Sequence, residues 1–219
     1  MIKCCIFDLD GTLLNTLPTI THYVNMTLAE DGLAPISEEE CRGFIGNGAA
    51  KLIQRAYALR KASNEDGSGE RLRRYMDHYD SDPLYLTRPY PGIPELLSRL
   101  KEGGIRVGVV SNKQHSSTVS IVAEMLSGLV DGCIGGKEGI PLKPSPVSSL
   151  ELVSALGCTP TETAFIGDSD VDMLTGRALG AKCFGVLWGY MPKALAECDS
   201  DGLARDAQEL LCMIGGDYE

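Results

Sequence analysis

Ile2-Lys3-Cys4-Cys5-Ile6-Phe7-Asp8-Leu9-Asp10-Gly11-Thr12 sets a short apolar run against an acidic turn. A run of this length bounded by turn residues reads as a strand buried on both faces, the kind found in parallel sheets covered by helices. Residues two apart on an extended segment point the same way, so Asp8 and Asp10 can face one ligand. Gly11 permits a tight turn and close approach of the backbone. An ordinary acidic strand exit has the same composition, so these residues acquire meaning only from the rest of the chain.

Three further runs, Ile105 to Val110, Thr163 to Ile166 and Cys183 to Trp188, read as buried strands, and Leu129 to Ile134 as a less apolar fifth. Helix patterns separate them. Pro94 opens one, Leu96, Leu97 and Leu100 share its face, and Gly103-Gly104 stops it. Val119, Val122, Ala123 and Leu126 keep helical spacing up to Gly128. Ser145-Pro146 reads as a cap-plus-proline start with Gly157 as the matching end. Strand and helix in alternation predict an α/β fold, a doubly wound Rossmann-like parallel sheet. From Pro18 to Pro83 no strand pattern occurs. Ile20, Tyr23, Val24 and Leu28 share a helical face that Gly32 ends. Ser37 with Glu40 forms a capping box. Leu52, Ile53 and Ala56 follow the Gly46-Asn47-Gly48 loop, Asn64 to Glu70 is a polar break, and Arg71 to Tyr79 is a third helix. The predicted organisation is therefore a core of residues 1–15 and 84–219 with an all-helical cap inserted at 16–83.

Composition narrows the class. The chain has 219 residues, 43% hydrophobic and 23% charged, with a formal net charge of −10. That balance argues against sequence-independent nucleic-acid binding, though a local cation can still serve a phosphorylated ligand. The longest apolar runs fall far short of the roughly 20 residues that span a bilayer, so no membrane association is expected. Asp8 interrupts the N-terminal apolar run too early for a signal peptide. The eight cysteines show no C-x-x-C spacing; they read as small buried hydrophobes in a reducing compartment, with the cytoplasm as the expected location. His22, His78 and His115 lie in separate segments without ligand spacing, and Arg71, Arg73 and Arg74 read as the wet face of a helix.

Three more strand or loop ends carry chemistry. Val109-Val110-Ser111-Asn112 places a hydroxyl and an amide where the second strand is expected to stop. Lys143-Pro144-Ser145-Pro146 sets a lysine before a helix start. Ile166-Gly167-Asp168-Ser169-Asp170-Val171-Asp172 sets acids after another strand. Each alone is also a capping serine, a solvated lysine or an acidic first turn favoured by the helix dipole. Their order is the distinguishing feature: acidic pair, Ser-Asn, Lys-Pro, Gly-Asp.

In that order the chain resembles the haloacid dehalogenase-like hydrolase superfamily, over Ile2 to Asn15 and again over Tyr90 to Trp188. The helical insert looks like the small cap of phosphoglycolate phosphatase-like and beta-phosphoglucomutase-like members. Arg88-Pro89-Tyr90-Pro91-Gly92 and Gly46-Asn47-Gly48 are similar to the phosphoglycolate phosphatase branch. The resemblance implies a phosphatase of a small phosphate ester, phosphoglycolate first among the candidates, with Asp8 as nucleophile and Asp10 as general acid and base. It implies Mg²⁺ held by the carboxylates of Asp8 and Asp168 and the backbone carbonyl of Asp10. Asp172 would stand behind them, orienting either a water on the ion or Lys143. Ser111, the Asn112 N–H and Lys143 would hold the phosphoryl oxygens, joined by the Gly11 and Thr12 N–H groups. Asp170 goes to solvent. Asn47, between two glycines, is the cap residue expected to meet substrate. Lys113 and Gln114 either border the substrate or start a solvated helix. Asn15 departs from relatives, which often carry an acid there, and no role is read for Gly189-Tyr190-Met191-Pro192. A phosphomutase of the beta-phosphoglucomutase type, and another small-molecule phosphatase or pyrophosphatase of the superfamily, remain as alternatives.

Overall fold

The computed structural model describes residues 1–62 and 68–215. The chain forms two compact units, Met1–Asn15 with Pro89–Glu219, and Thr16–Arg88. Residues 84–88, expected in the core, fall in the helical unit.

The first unit is built on six parallel strands: β1 Cys4–Phe7, β2 Arg106–Gln114, β3 Gly132–Gly136, β4 Thr163–Gly167, β5 Lys182–Val186 and β6 Gly202–Ala204, in the spatial order β3-β2-β1-β4-β5-β6. Every residue of β1 and β4 is buried, as a central strand covered on both faces requires. Cys4, Ile6, Val110, Phe165, Leu152 and Val153 pack together on one side, and Met173, Cys183 and Leu195 form a separate cluster. The chain steps outward from β1 through β2 to β3, then returns to the other side of β1 as β4. In a doubly wound sheet the ligand crevice lies at such a reversal, beyond the carboxyl ends of the strands. The β1–β4 pair therefore sets the location of the site.

Several boundaries differ from the sequence reading. β2 does not stop at Val110 but runs to Gln114, with a register irregularity against β3 between those two residues. β3 starts at Gly132, and β5 ends at Val186. The strand Gly202–Ala204 and the helix Ala207–Gly215 carry no pattern that announced them. The helix after Lys143 spans Val147–Ala155 with Pro146, not Ser145, at its N-cap. The helix Ile93–Glu102 does open with proline in its first turn and closes at Gly103.

The second unit has helices Leu17–Glu30, Glu38–Arg42, Ala49–Leu59 and Ser68–Ser81. Residues 64–67 of the expected polar break lie outside the described residues, while 68–70 are already helical. Leu28, Val24, Tyr57 and Tyr79 are buried. The Tyr57 hydroxyl lies 3.0 Å from the Thr27 carbonyl oxygen and 2.9 Å from Asp31 Oδ2, which gives this large buried ring a polar partner. The capping box is present: Glu40 N–H donates to Ser37 Oγ at 3.1 Å, and Ser37 N–H donates to Glu40 Oε2 at 2.8 Å. Among the described residues no helix is long and apolar enough to cross a membrane.

Candidate active site

Asp8 is the first residue beyond β1, and its N–H donates to the Ile166 carbonyl of β4 at 2.9 Å. Asp168 is the first residue beyond β4. Paired neighbouring strands thus deliver two carboxylates to the same edge of the sheet. Asp172 joins them from the first turn of the helix Asp170–Leu179. Oxygens of Asp8, Asp168 and Asp172 lie within 4.8 Å of one another. All three residues are buried.

Lys143 reaches the cluster from the loop before the helix Val147–Ala155. Its Nζ donates to Asp8 Oδ1 at 2.5 Å and to Asp172 Oδ1 at 2.7 Å. The loop is fixed by Asn112: Lys143 N–H donates to Asn112 Oδ1 at 2.8 Å, and Asn112 Nδ2 donates to the Lys143 carbonyl at 3.1 Å. The Asn112 side chain therefore behaves as a two-point clamp on the loop that carries the lysine. The other Asp172 oxygen, Oδ2, accepts from Ser169 N–H at 3.1 Å and from Ser169 Oγ at 2.6 Å. Asp170 is exposed, as read from the sequence.

Asp168 Oδ2 accepts from the Tyr190 N–H at 2.6 Å. This gives a function to the Gly189-Tyr190 turn that the sequence left without one. A backbone donor has no residue signature, and nothing in the sequence pointed to it. Space explains Gly11: its φ is +92°, and a Cβ there would collide with Asp168 Oδ2. Its N–H, expected to reach a phosphoryl oxygen, instead donates to the Leu14 carbonyl at 2.9 Å, because the turn closes on itself. Thr12 Oγ1 lies 3.4 Å from Asp168 Oδ1, and the Thr12 carbonyl accepts from Trp188 Nε1 at 3.0 Å. Ser111 is buried on β2, and its Oγ accepts from Lys113 N–H at 3.1 Å.

Asp10 does not join the three-acid cluster through its carboxylate. Lys113 Nζ donates to both its oxygens, at 2.9 and 3.0 Å. The continuation of β2 past Val110 is what brings Lys113 there, two positions beyond Ser111 on the same strand. Asn47 lies half-buried in the loop between the helices Glu38–Arg42 and Ala49–Leu59 of the helical unit.

The electrostatics follow from this packing. Burial pushes Asp8 up to about 7; Lys143 opposes the shift, while Asp172 and Asp10 add to it. Burial, then Asp172 and Asp8, hold Asp168 well above the usual carboxylate range, against the Tyr190 N–H and Lys143. Burial alone would lower Lys143, but Asp172 and Asp8 outweigh it, and the ammonium holds its proton more tightly than usual. Four carboxylates at this edge thus face two ammonium groups. A hard, buried, oxygen-only donor set that is short of positive charge fits a divalent cation such as Mg²⁺.

A family model described as haloacid dehalogenase-like hydrolase matches residues 5–186. A phosphoglycolate phosphatase of Rhodospirillum rubrum is 37% identical over 204 residues, covering 90% of this chain and 84% of that protein. One from Cereibacter sphaeroides is 37% identical over 207 residues, covering 94% of each. The crystal structure of a predicted phosphoglycolate phosphatase from Haemophilus somnus superimposes with a TM-score of 0.89 at 29% identity, covering 96% of both chains.

Proposed function

The chain belongs to the haloacid dehalogenase-like hydrolase family, and from that premise we propose that it is a Mg²⁺-dependent phosphatase of small phosphorylated metabolites, phosphoglycolate first among them. One observation carries this reading: a buried lysine bridges Asp8 and Asp172 while Asp168 stands within 4.8 Å on the adjoining strand end. The names of the relatives support the substrate.

A phosphate monoester resists hydrolysis because its charged oxygens repel a nucleophile and its alkoxide leaves poorly. Asp8 attacks phosphorus in line, the bond to the ester oxygen breaks, and an aspartyl-phosphate forms. Asp10 gives a proton to the departing oxygen, then takes one from the water that cleaves the acyl phosphate. Lys143, Ser111 and the Asn112 N–H hold the phosphoryl oxygens as charge shifts onto them. Asp172 keeps Lys143 aimed, itself fixed by Ser169. The carboxylates of Asp8 and Asp168 and the Asp10 carbonyl would hold the metal. When bound, Mg²⁺ supplies positive charge for the phosphoryl oxygens and for the buried acids.

Asp8→Asn is expected to lower kcat for 2-phosphoglycolate by roughly 10⁴-fold or more, as loss of a covalent nucleophile does. The fold should remain by circular dichroism, and the wild type should release inorganic phosphate. Retained turnover in Asp8→Asn would refute the nucleophile. Appearance of a relocated phosphate on a sugar 1-phosphate, with no free phosphate, would point to a mutase instead.

A further inference from the structure

Lys113 is a cation that the phosphoryl-transfer steps above leave without a task. Its ammonium sits on both oxygens of Asp10, and the two side chains are only 10% and 11% exposed. Its backbone is pinned by Ser111 Oγ at 3.1 Å. Lys143, the other ammonium at this edge, is committed to Asp8 and Asp172. A substrate with a second negative group beyond its phosphate would enter a site already rich in carboxylates. It requires a further positive charge at the place where that group lies.

The position of the group follows from the reaction. Asp10 serves the ester oxygen, and in a phosphate ester of a 2-hydroxy acid the carboxyl carbon is two bonds from that oxygen. Lys113, bonded to Asp10, is therefore beside it. A lysine is a point charge on a flexible four-carbon stem, able to sit between two carboxylates where a rigid fork is not. We propose that Lys113 binds the substrate's carboxylate, shared with Asp10, and so selects phosphate esters of 2-hydroxy acids over neutral alkyl phosphates. This assignment rests on the phosphatase reading.

The test compares 2-phosphoglycolate with 2-hydroxyethyl phosphate, which has a neutral hydroxyl in place of the carboxylate, at saturating Mg²⁺. The wild type should prefer the carboxylate. In Lys113→Met the ratio of kcat/KM values for the two esters should fall roughly 30-fold or more, the effect of removing one partner of a buried charge pair. Most of the fall should lie in KM, and Lys113→Arg should keep part of the ratio. An unchanged ratio in Lys113→Met, with both esters slowed alike, would overturn the proposal and leave the lysine acting on Asp10 alone. A wild type without preference between the esters would overturn it without any variant, which covers a variant that does not fold. A wild type that hydrolyses neither ester but releases phosphate from other small esters would overturn this proposal and leave the phosphatase reading standing; one that releases phosphate from none would overturn both.

Discussion

The paired acids of the helical unit and the strand-end acids of the α/β unit are treated in opposite ways. In the helical unit Arg74 reaches Glu30 at 2.9 Å and Asp31 at 2.8 Å, Arg71 reaches Asp31 at 3.3 Å, and His78 lies 2.7 Å from Glu30. His78, then Arg74, draws Glu30 below its usual range. Burial alone would raise Asp31, but Arg74, the Tyr57 hydroxyl and Arg71 bring it down. At the strand ends of the α/β unit the carboxylates of Asp8 and Asp168 are driven up. The difference is the supply of cations relative to burial. A network balanced by its own arginines holds helices together. One that leaves buried carboxylates short of positive charge has room for a cation brought by the reaction.

Removing one lysine or one arginine tests that contrast most directly. Lys143→Met strands Asp8 and Asp172 in the interior, and loss of a partner from a buried pair costs about 3 kcal/mol. Urea denaturation of the metal-free protein at pH 8 should read this loss, alongside a fall in kcat of roughly 10³-fold or more, because an oxyanion-type contact is lost as well. Arg74→Met opens a network at the surface, where ion pairs are worth at most about 1 kcal/mol, and kcat should hold. Equal stability losses in the two variants would erase the distinction between the units.

The pH response separates them next. In the metal-free protein the folded state keeps a proton on Asp8 up to about 7, whereas an unfolded aspartate releases it near 3.9. Between those values the folded state binds more protons, so this group makes stability fall as pH rises. Asp31 has the reverse sign: its contribution is present above the unfolded value and is lost as acid is added. On the proposed function, Mg²⁺ would compete with the proton on the site carboxylates. Its stabilising effect, read as a rise in Tm by calorimetry at fixed metal, should be larger at pH 8 than at pH 5.5. A rise that is equal at both pH values would mean that the acids are not the metal's ligands.

How much of this was legible in the sequence depends on what each feature is made of. β1 and β4 were visible because a strand buried on both faces must be apolar throughout, and Asp8 and Asp168 followed as the first acids beyond them. Lys143 and Asp172 were visible by their places near helix starts. β2 was cut short because Ser111 to Gln114 are polar, and polarity says loop unless the neighbouring strand and the site are known. With that misplaced end Lys113 stayed undecided between the substrate's edge and a solvated helix start, since its partner Asp10 is 103 residues away. The Tyr190 N–H and the Asn112 clamp were hidden for a related reason. A backbone donor has no side-chain signature, and an amide's partners are set by the fold. Gly202–Ala204 is too short to show a period.

The smallest test uses one motif found in both units. Ser37 caps Glu38–Arg42, with Glu40 returning to the Ser37 N–H, and Ser169 caps Asp170–Leu179, with Asp172 returning to the Ser169 N–H. Loss of either hydroxyl should cost about 1 kcal/mol of stability. Their consequences for turnover should diverge. In Ser37→Ala the Glu40 N–H loses its cap, but the Glu40 carboxylate keeps the Ser37 N–H and Arg60 at 3.0 Å, and kcat should stay at the wild-type value. In Ser169→Ala the Asp172 carboxylate loses its 2.6 Å hydroxyl donor and keeps only the Ser169 N–H on that oxygen, while its other oxygen holds Lys143. The lysine is then aimed less firmly at Asp8, and kcat should drop several-fold while KM changes less, since on the proposed mechanism the contact strengthens only as charge moves onto the phosphoryl oxygens. Ser169→Thr, which restores a hydroxyl, should recover most of the rate. If both alanine variants lost stability alike and neither lost rate, Asp172 would be a capping residue only, and the chain of contacts from Ser169 to Asp8 would have no part in turnover.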